Sequence, residues 1–352
     1  MRWADPTAVV VALVALVAVA GGSPSVASDR TGQVVRIEKR VSRVLVGAGS
    51  FMMGIEPPDQ TSQLLDDEVS QETTLLNDCL ESFPRGVGLN QQRQPVQFCE
   101  YQYQSDLERM HARSVYVDAF LMDRDEVSVA DYRRCVASGE CSIDALVSGD
   151  ERYIRADWPM VNVTWEESRI YCAAQGGRLP TEAEWERAAR GNDGRRWPWG
   201  EVARPRDWNH GQARTATMRM FEAVGPDIPA DLMGDPDDSD GAEILGPAGH
   251  YPWGEAANGV RDLAGSVAEW TADAYVSNDL GRGYDVKVRG DWVPLPVINP
   301  VREGVGPHVV RGGSWRQPAF LGQTFARDPF NLLYDQNRRF AHIGFRCVRS
   351  AR

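Results

Sequence analysis

A helical period of hydrophobic and polar positions runs through the segment Gly176–Gly191, which reads GGRLPTEAEWERAARG. Thr181 can cap the first turn, and the Glu184 carboxylate, three residues later, can accept a hydrogen bond from the Thr181 amide. Three apolar side chains follow at spacing i, i+3, i+4 on one face, namely Trp185, Ala188 and Ala189. The pattern therefore predicts an amphipathic helix that ends at Gly191.

Two further segments carry the same helix signals. Ser128–Gly139 begins with a capping serine, has Asp131 three residues later and ends at a glycine. Thr164–Gly176 begins with a Thr164 and Glu167 capping box and also ends at a glycine. The apolar face that the period predicts for this second helix consists of Ile170, Tyr171 and Ala174.

Strand patterns are short, and coil fills much of the remaining sequence. Val44–Met53 predicts a strand with a bend at its glycines, and Val115–Met122 predicts a second strand. Polar, Gly-rich and Pro-rich residues fill 54–111 and 209–249. We interpret 54–111 as an insertion, either a specificity loop or a tolerated surface loop. Few helices and many short strands predict an irregular, coil-rich α+β domain.

The N-terminus has the pattern of a secretory signal. Arg2 precedes an unbroken run of small and aliphatic residues, Ala8–Ala20, and Ser25–Ala27 offers a cleavage site before Ser28. We therefore expect a signal peptide at 1–27, a linker at 28–42, one domain at 43–350, and export to the periplasm or the medium. An uncleaved membrane anchor is the alternative.

Composition narrows the classes of partner and the roles of the cysteines. The formal net charge is −12, which disfavours nucleic acid and anionic membranes as partners; we expect a monomer with no membrane contact beyond the signal peptide. Six cysteines permit about 15 pairings, so the sequence alone does not decide between them. Local spacing suggests Cys135–Cys141 and Cys79–Cys99, which leaves Cys172 and Cys347.

The string GGRLPTEAEWERAARG resembles the signature helix of the formylglycine-generating (sulfatase-modifying factor) family, GxRLPTEAEWExAARG. Other family motifs follow in the expected order, as a lead-in strand, a turn, a central motif and two closing strands: Trp158–Val163, Trp197–Gly200, Asn258–Trp270, Val309–Trp315 and Gly344–Cys347. The resemblance implies a compact, C-type-lectin-related fold and a Cys172–Cys347 disulfide.

The resemblance also implies two calcium sites, since calcium prefers carboxylate and carbonyl oxygens. One would use the side chains of Asp262 and Glu269 with the carbonyls of Gly265 and Val267. The other would use Asn209 and Asp240 with the carbonyls of His210 and Ala242. Calcium is thus the expected cofactor.

Copper is not expected, because the residues that would bind it are missing. Enzymes of the family convert a sulfatase cysteine to formylglycine with O₂, using copper held by two cysteines just after the GGS motif. Soft thiolates suit Cu(I), but Gln317 and Gly322 occupy the two positions here. Ala268 occupies the position of an active-site tryptophan. The related iron-dependent sulfoxide synthases need clustered histidines, and the five histidines here are far apart in sequence.

These observations favour a binding or accessory module without oxidase activity. Its ligand, a protein, peptide or glycan, would lie in a groove near five family-equivalent positions, Ser314, Arg316, Gln317, Gly322 and Arg327. The alternative is an oxidase of the formylglycine-generating type that acts on a cysteine of a protein substrate through a non-standard site.

Overall fold

A computed structural model describes the 352-residue chain at residues 26–28, 34–36, 42–54, 112–148, 151–202, 208–212, 235–236, 240–242, 244–275, 285–288, 291–294, 297–317, 319–328 and 334–351. The predicted signal peptide up to residue 25, the insertion from 55 to 111 and the predicted Cys79–Cys99 pair lie outside the described residues.

The chain forms two compact units, Met1–Arg40 and Val41–Arg352. In the first unit, strand β1 (Val26–Ser28) pairs antiparallel with β2 (Val34–Arg36). This pair falls partly within 28–42, where the sequence predicted only a linker.

The described residues of the second unit include four α-helices: α1 (Val129–Ala137), α2 (Asp144–Val147), α3 (Trp165–Ala174) and α4 (Glu182–Arg190). The predicted caps begin the three longer helices. Ser128 accepts a hydrogen bond from the Asp131 amide, and full capping boxes form at Thr164 and at Thr181. Gly191 follows the last residue of α4 with a positive φ of 69°, as the left-handed stop required.

Short strands complete the second unit: β3 (Arg43–Val46), β4 (Gly49–Met53), β5 (Arg113–Val117), β6 (Phe120–Asp123), β7 (Gly211–Gln212), β8 (Asp235–Pro236), β9 (Ala268–Ala274), β10 (Asp285–Val288), β11 (Asp291–Pro294), β12 (Val297–Ile298), β13 (His308–Arg311), β14 (Ile343–Gly344) and β15 (Val348–Ser350). They form three-stranded sheets in the orders β12-β5-β4, β13-β9-β14 and β15-β6-β3, and the pairs β7-β8 and β10-β11. The β12–β5 and β14–β9 pairings are parallel. The irregular α+β architecture is as predicted.

Each of the two strand patterns read from the sequence divides between two sheets. Val44–Met53 gives β3, which pairs with β6, and β4, which pairs with β5. Val115–Met122 divides in the same way into β5 and β6. The lead-in segment Trp158–Val163 is not a strand; it contributes only an isolated bridge between Pro159 and Ser128.

Helix α4 lies at the centre of the second unit. Its apolar residues pack with residues of β3, β4, β5, β6 and β15 in one hydrophobic cluster, and Trp185 is completely buried. The prediction of one apolar face was incomplete, because all nine residues of α4 are buried. Its polar side is covered by ion pairs rather than by water.

The described residues form one local and one long-range disulfide. Cys135–Cys141 closes the loop after α1, and Cys172–Cys347 joins α3 to the segment before β15. Both pairings agree with the sequence prediction. None of the helices in the described part of the chain combines the length and hydrophobicity that a membrane span requires.

Candidate functional site

A double-glycine turn directs the chain away from β13 at the predicted groove. Gly312 and Gly313 have φ values of 96° and 65°, in the left-handed region. A Cβ atom on Gly313 would lie 3.0 Å from the Leu321 carbonyl carbon, so the 319–322 segment packs directly on this turn. The GGS motif thus serves close backbone packing and places Ser314 beneath the surface.

Gln317 is completely buried and is held by polar partners on two sides. The Ser314 hydroxyl donates to its carbonyl oxygen at 2.9 Å, and its amide nitrogen donates to Asp328 Oδ2. The Tyr334 hydroxyl also donates to Asp328 Oδ2, at 2.6 Å. Gln317 therefore replaces a thiolate with a neutral side chain whose hydrogen-bonding groups are already engaged.

His342 extends this buried network on its far side. Its Nε2 atom lies 3.4 Å from the Tyr334 hydroxyl, and its Nδ1 atom is buried without a hydrogen-bond partner. Burial lowers the pKa of His342 to about 3, so the imidazole is neutral at physiological pH. Burial likewise raises the pKa of Tyr334 well above its usual range.

The second family cysteine position, Gly322, has no room for a side chain in this structure. A Cβ atom there would lie 2.6 Å from the Trp208 ring and 3.3 Å from the Ala264 methyl group. The four described cysteines are all in disulfides. The residues present therefore do not fit a bis-thiolate copper centre.

A buried ion cluster joins α4 to the segment after the groove. The Arg327 guanidinium donates two hydrogen bonds of 2.5 Å to the Glu182 carboxylate. Arg311 contacts the same carboxylate at 3.2 Å and Glu186 at 2.6 Å. Burial alone would raise the pKa of Glu182, but the Arg327 and Arg311 charges outweigh it and lower that pKa to about 2.

The predicted groove is consequently not an open surface at most of its residues. Ser314, Gln317 and Arg327 have exposed fractions of 1%, 0% and 5% and point into the protein. Gly322 is also buried, and only Arg316 is partly exposed. In this conformation, Arg316 is the member of the predicted groove that is placed to contact a ligand, and the groove itself stays a prediction.

Asp240 contacts two of the other three residues of the predicted calcium site that includes Asn209. The amides of His210 and Ala242 donate to the two Asp240 oxygens at 3.0 and 2.9 Å. The Asn209 amide nitrogen donates to the Ile244 carbonyl at 2.6 Å, while its Oδ1 atom is buried without a hydrogen-bond partner. A buried amide oxygen without a hydrogen-bond partner is the kind of ligand atom that a hard cation prefers.

The other predicted calcium set has a different arrangement. The Arg346 guanidinium donates three hydrogen bonds of 2.6 to 2.9 Å to Glu269, and the Trp185 indole donates a fourth at 2.9 Å. Arg346 and Glu269 are completely buried, with side-chain exposures of 0% and 1%. Glu269 is therefore committed to an ion pair and does not fit as a direct calcium ligand in this conformation.

Asp262, from the same set, lies in a buried acidic region. Its backbone has a φ of 53°, and its Oδ2 atom accepts a hydrogen bond of 2.5 Å from the Gly249 amide. Burial raises the pKa of Asp262 to about 6. Glu126 is also buried; burial and then the Asp262 charge raise its pKa. In the described part of the chain, no three His, Cys, Asp or Glu side chains converge on a common metal position.

Sequence reasoning missed several members of this site. Asp328, Tyr334 and His342 carry no motif, and only the tertiary fold brings them to Gln317. The sequence also gave no indication that Glu126 and Arg346 lie near the Asn258–Trp270 motif. The cost of burying a charge could have identified Arg346 as a site residue, because an arginine in an apolar segment needs a carboxylate partner.

Comparison with known proteins gives the family of this fold and site. The family model for the sulfatase-modifying factor enzyme 1-like domain (FGE-sulfatase) matches residues 35–351. The chain therefore belongs to the formylglycine-generating, sulfatase-modifying factor family. The solved structure of PvdO from Pseudomonas aeruginosa covers 94% of this chain and 100% of its own, with a TM-score of 0.53 and 20% identity. At that identity the likeness shows the fold alone.

Similar proteins in this family include active and inactive members. The chain is 34% identical over 200 residues to the formylglycine-generating enzyme of Thermomonospora curvata, covering 55% of this chain and 56% of that protein. It is 30% identical over 199 residues to the inactive C-alpha-formylglycine-generating enzyme 2 of Mus musculus, covering 56% and 51%. It is 31% identical over 214 residues to the hercynine oxygenase of Mycolicibacterium thermoresistibile, covering 54% and 39%. The chain thus spans about half the length, or less, of these relatives.

Proposed function

We propose that this protein is a binding or accessory member of the family without copper oxidase activity. The observation that carries the proposal is the pair of positions that hold copper-binding cysteines in the family. Gln317 there is hydrogen-bonded on two sides, and Gly322 faces the Trp208 ring. The similarity to a protein named as inactive supports the same reading. The ligand class is a protein, peptide or glycan.

The test is to incubate the full chain with a peptide containing the sulfatase motif CxPxR, Cu(I) and O₂, and to measure peptide mass. We expect no conversion of cysteine to formylglycine and no stoichiometric copper uptake. The Thermomonospora curvata enzyme in the same assay is the positive control. Conversion of the peptide by this chain would overturn the proposal.

The binding role needs its own measurement. We expect saturable binding of the unreacted CxPxR peptide, measured by fluorescence anisotropy, or of a component of a glycan array. Arg316→Gln should weaken that binding, because Arg316 is the partly exposed side chain among the groove residues. The matched control is Arg169→Gln, which changes an exposed arginine on α3. Absence of binding in both assays would contradict this role.

A second candidate is an enzyme that uses a non-standard site on the same scaffold. The observation in its favour is the buried Asp328–Tyr334–His342 network beside Gln317, whose neutral imidazole has an unused ring nitrogen. With its pKa lowered to about 3, this imidazole is a weak base at neutral pH, so it would act here as a hydrogen-bonding group that orients a reacting partner. Turnover of the CxPxR peptide that disappears in His342→Gln would select this candidate.

Calcium is the cofactor that we propose for the scaffold. The Asn209 and Asp240 side chains, with the carbonyls of His210 and Ala242, would hold the ion and fix the loop segments that carry them. The unpartnered Asn209 Oδ1 atom supports this assignment. The bound calcium would stabilise the fold by linking these loop segments to one another.

Thermal unfolding tests the calcium proposal, since a ligand bound only to the folded state raises its stability. We expect wild type to melt higher in calcium than in chelator, and Asp240→Ala to lose this difference. Glu269→Gln should instead lower stability equally in both buffers, because it breaks the ion pair with Arg346. Identical melting of wild type in calcium and in chelator would refute the proposal.

We also propose export, with cleavage before Ser28. The apolar run Ala8–Ala20 and the small residues at Ser25–Ala27 support it. N-terminal sequencing of the protein from the native host should begin at Ser28, whereas an intact Met1 in a cytosolic fraction would exclude export.

A further inference from the structure

Arg187, in the last turn of α4, is a buried cation whose hydrogen-bonding capacity is largely unused. Only 6% of the residue is exposed, and its Nε and Nη1 atoms are buried without an acceptor. Its Nη2 atom makes one long hydrogen bond of 3.4 Å to the Gly47 carbonyl. The guanidinium also lies 5.7 Å from the centre of the Phe51 ring. These contacts hold the group in place but do not neutralise its charge.

Other arginines buried around α4 contrast with Arg187 in this respect. Arg190, Arg311, Arg327 and Arg346 each have a carboxylate oxygen within 3.3 Å. Across the described ranges, Arg187 has no carboxylate at ion-pair distance. Burial accordingly lowers the pKa of Arg187. A desolvated guanidinium without a counter-ion is costly, so it favours an anion brought from outside.

Arg187 lines a cleft. Because its Nε and Nη1 atoms are covered by protein, an anion in the cleft would meet the Nη2 side of the guanidinium. The cleft has a volume of about 360 Å³ and lies between the end of β3, the end of α4 and the 257–258 turn. Val46, Ala188 and Ala257 supply apolar walls, and Asn192 and Asn258 supply amides. The volume fits a small molecule or one side chain of a larger ligand.

The remaining charges around the cleft leave it positive. Arg195 forms an ion pair with Asp193, so these two residues cancel. The end of a helix repels anions through its free carbonyls, but two of those carbonyls are covered here. The Gly191 amide donates to the Arg187 carbonyl at 3.0 Å, and the Asn258 amide donates to the Ala188 carbonyl at 2.8 Å. Arg187 therefore dominates the local field.

We propose that this cleft is an oxyanion-binding site in which Arg187 binds the carboxylate or sulfate-like group of a small ligand or of a side chain. Carboxylates and tetrahedral oxyanions share the acceptor geometry that a guanidinium recognises. Arg187 occupies the variable position of the family signature GxRLPTEAEWExAARG, so the site is a feature of this chain's own sequence. The cleft does not include Gln317. The proposal of an oxyanion site is therefore independent of the proposed function.

The experiment titrates the full chain with three probes: sodium sulfate, sodium acetate, and glutamate blocked at both backbone ends. Binding is measured by calorimetry and by thermal unfolding, against sodium chloride of equal ionic strength. We expect saturable binding of at least one probe. Sulfate alone would indicate a free inorganic or sulfated ligand, and the blocked glutamate would indicate an acidic side chain.

Two variants and one control assign the binding to the cleft. Arg187→Gln should weaken it at least tenfold, and Arg187→Lys should weaken it by a smaller factor because the cation remains. Arg169→Gln, which alters an exposed arginine paired with Glu166, should bind as wild type does. If Arg187→Gln does not fold, the Arg187→Lys comparison decides.

Equal affinity in wild type and in the Arg187 variants would overturn the proposal. So would the absence, for all three probes, of any effect beyond that of chloride.

Discussion

Glu182, the first residue of α4, contacts two guanidinium groups and has a pKa lowered to about 2 from an ordinary value of 4.5. A carboxylate whose pKa is lowered by folding stabilises the folded state at pH values above 4.5, and this contribution is lost as the pH falls towards 2. The shift corresponds to roughly 3 kcal/mol of unfolding free energy.

We therefore expect the unfolding free energy of wild type to fall more steeply than that of Glu182→Gln between pH 3.8 and pH 2. Urea unfolding at several pH values measures this difference. Asp273, whose pKa burial and the Glu182 charge raise to about 6, acts in the opposite direction at higher pH. Wild type and Glu182→Gln are therefore compared below pH 3.8, the ordinary pKa of an aspartate. Glu166→Gln, at an exposed pair, is the control, and parallel curves for wild type and Glu182→Gln would contradict the prediction.

At this scale the sequence predicted local contacts well and long-range ones poorly. The Thr181–Glu184 capping box follows from spacing within one turn, and it is present. The pairing of Glu269 with Arg346 depends on how two distant segments meet, and spacing carries no information about that. For the same reason, the sequence did not predict that Asp328 and His342 are neighbours of Gln317.

Helix α4 is the element whose burial has the largest predicted consequence. Trp185 is completely buried, lies in one hydrophobic cluster with residues of five strands, and donates a hydrogen bond to Glu269. We expect Trp185→Ala to lower the unfolding free energy by about 3–5 kcal/mol, as for other large aromatic residues in cores. Denaturant unfolding measures the change.

Trp253→Ala is the matched control for this prediction, because the Trp253 residue is 71% exposed. Its effect should stay within about 0.5 kcal/mol. Trp185→Phe keeps much of the ring volume and removes the hydrogen bond to Glu269. Comparing it with Trp185→Ala therefore separates the effect of lost packing from the effect of the lost hydrogen bond. A near-neutral effect of Trp185→Ala would show that α4 is not the centre of the core.

Elements with strong end signals were predicted to within a residue or two, whereas strands without alternation were missed. Capping residues and glycines bound α1, α3 and α4 because backbone groups at helix ends need partners. Strand β9 has the sequence AEWTADA and is buried almost throughout, since β13 and β14 flank it. Its buried Glu269, Thr271 and Asp273 remove the hydrophobic signal that predicts a strand.

At the scale of the whole molecule, the two disulfides should differ in their contribution to stability. Cys172 and Cys347 are separated by 175 residues, whereas Cys135 and Cys141 are separated by 6. In the chain-entropy model these separations correspond to about 5 and about 2 kcal/mol. We expect Cys172→Ala with Cys347→Ala to destabilise more than Cys135→Ala with Cys141→Ala, measured by urea unfolding. The reverse order would show that strain or packing outweighs loop closure.

The sequence identified the family-level architecture of the whole molecule, and comparison confirmed it across residues 35–351. The division of single strand patterns between sheets could not be read from hydrophobicity. Both halves of Val44–Met53 present the same kind of inward face, and only pairing partners distinguish β3 from β4. The burial of most residues of the expected groove has a related cause, since a motif gives positions along the chain but not which side chains the fold covers.

Residues 343–350 supply β14 to one sheet, β15 to another and the sulfur partner of Cys172. A nascent chain that has not yet released these residues from the ribosome lacks an edge in both sheets and the covalent link to α3. During synthesis, therefore, both sheets reach their full width and the link to α3 can close only after residues 343–350 have emerged.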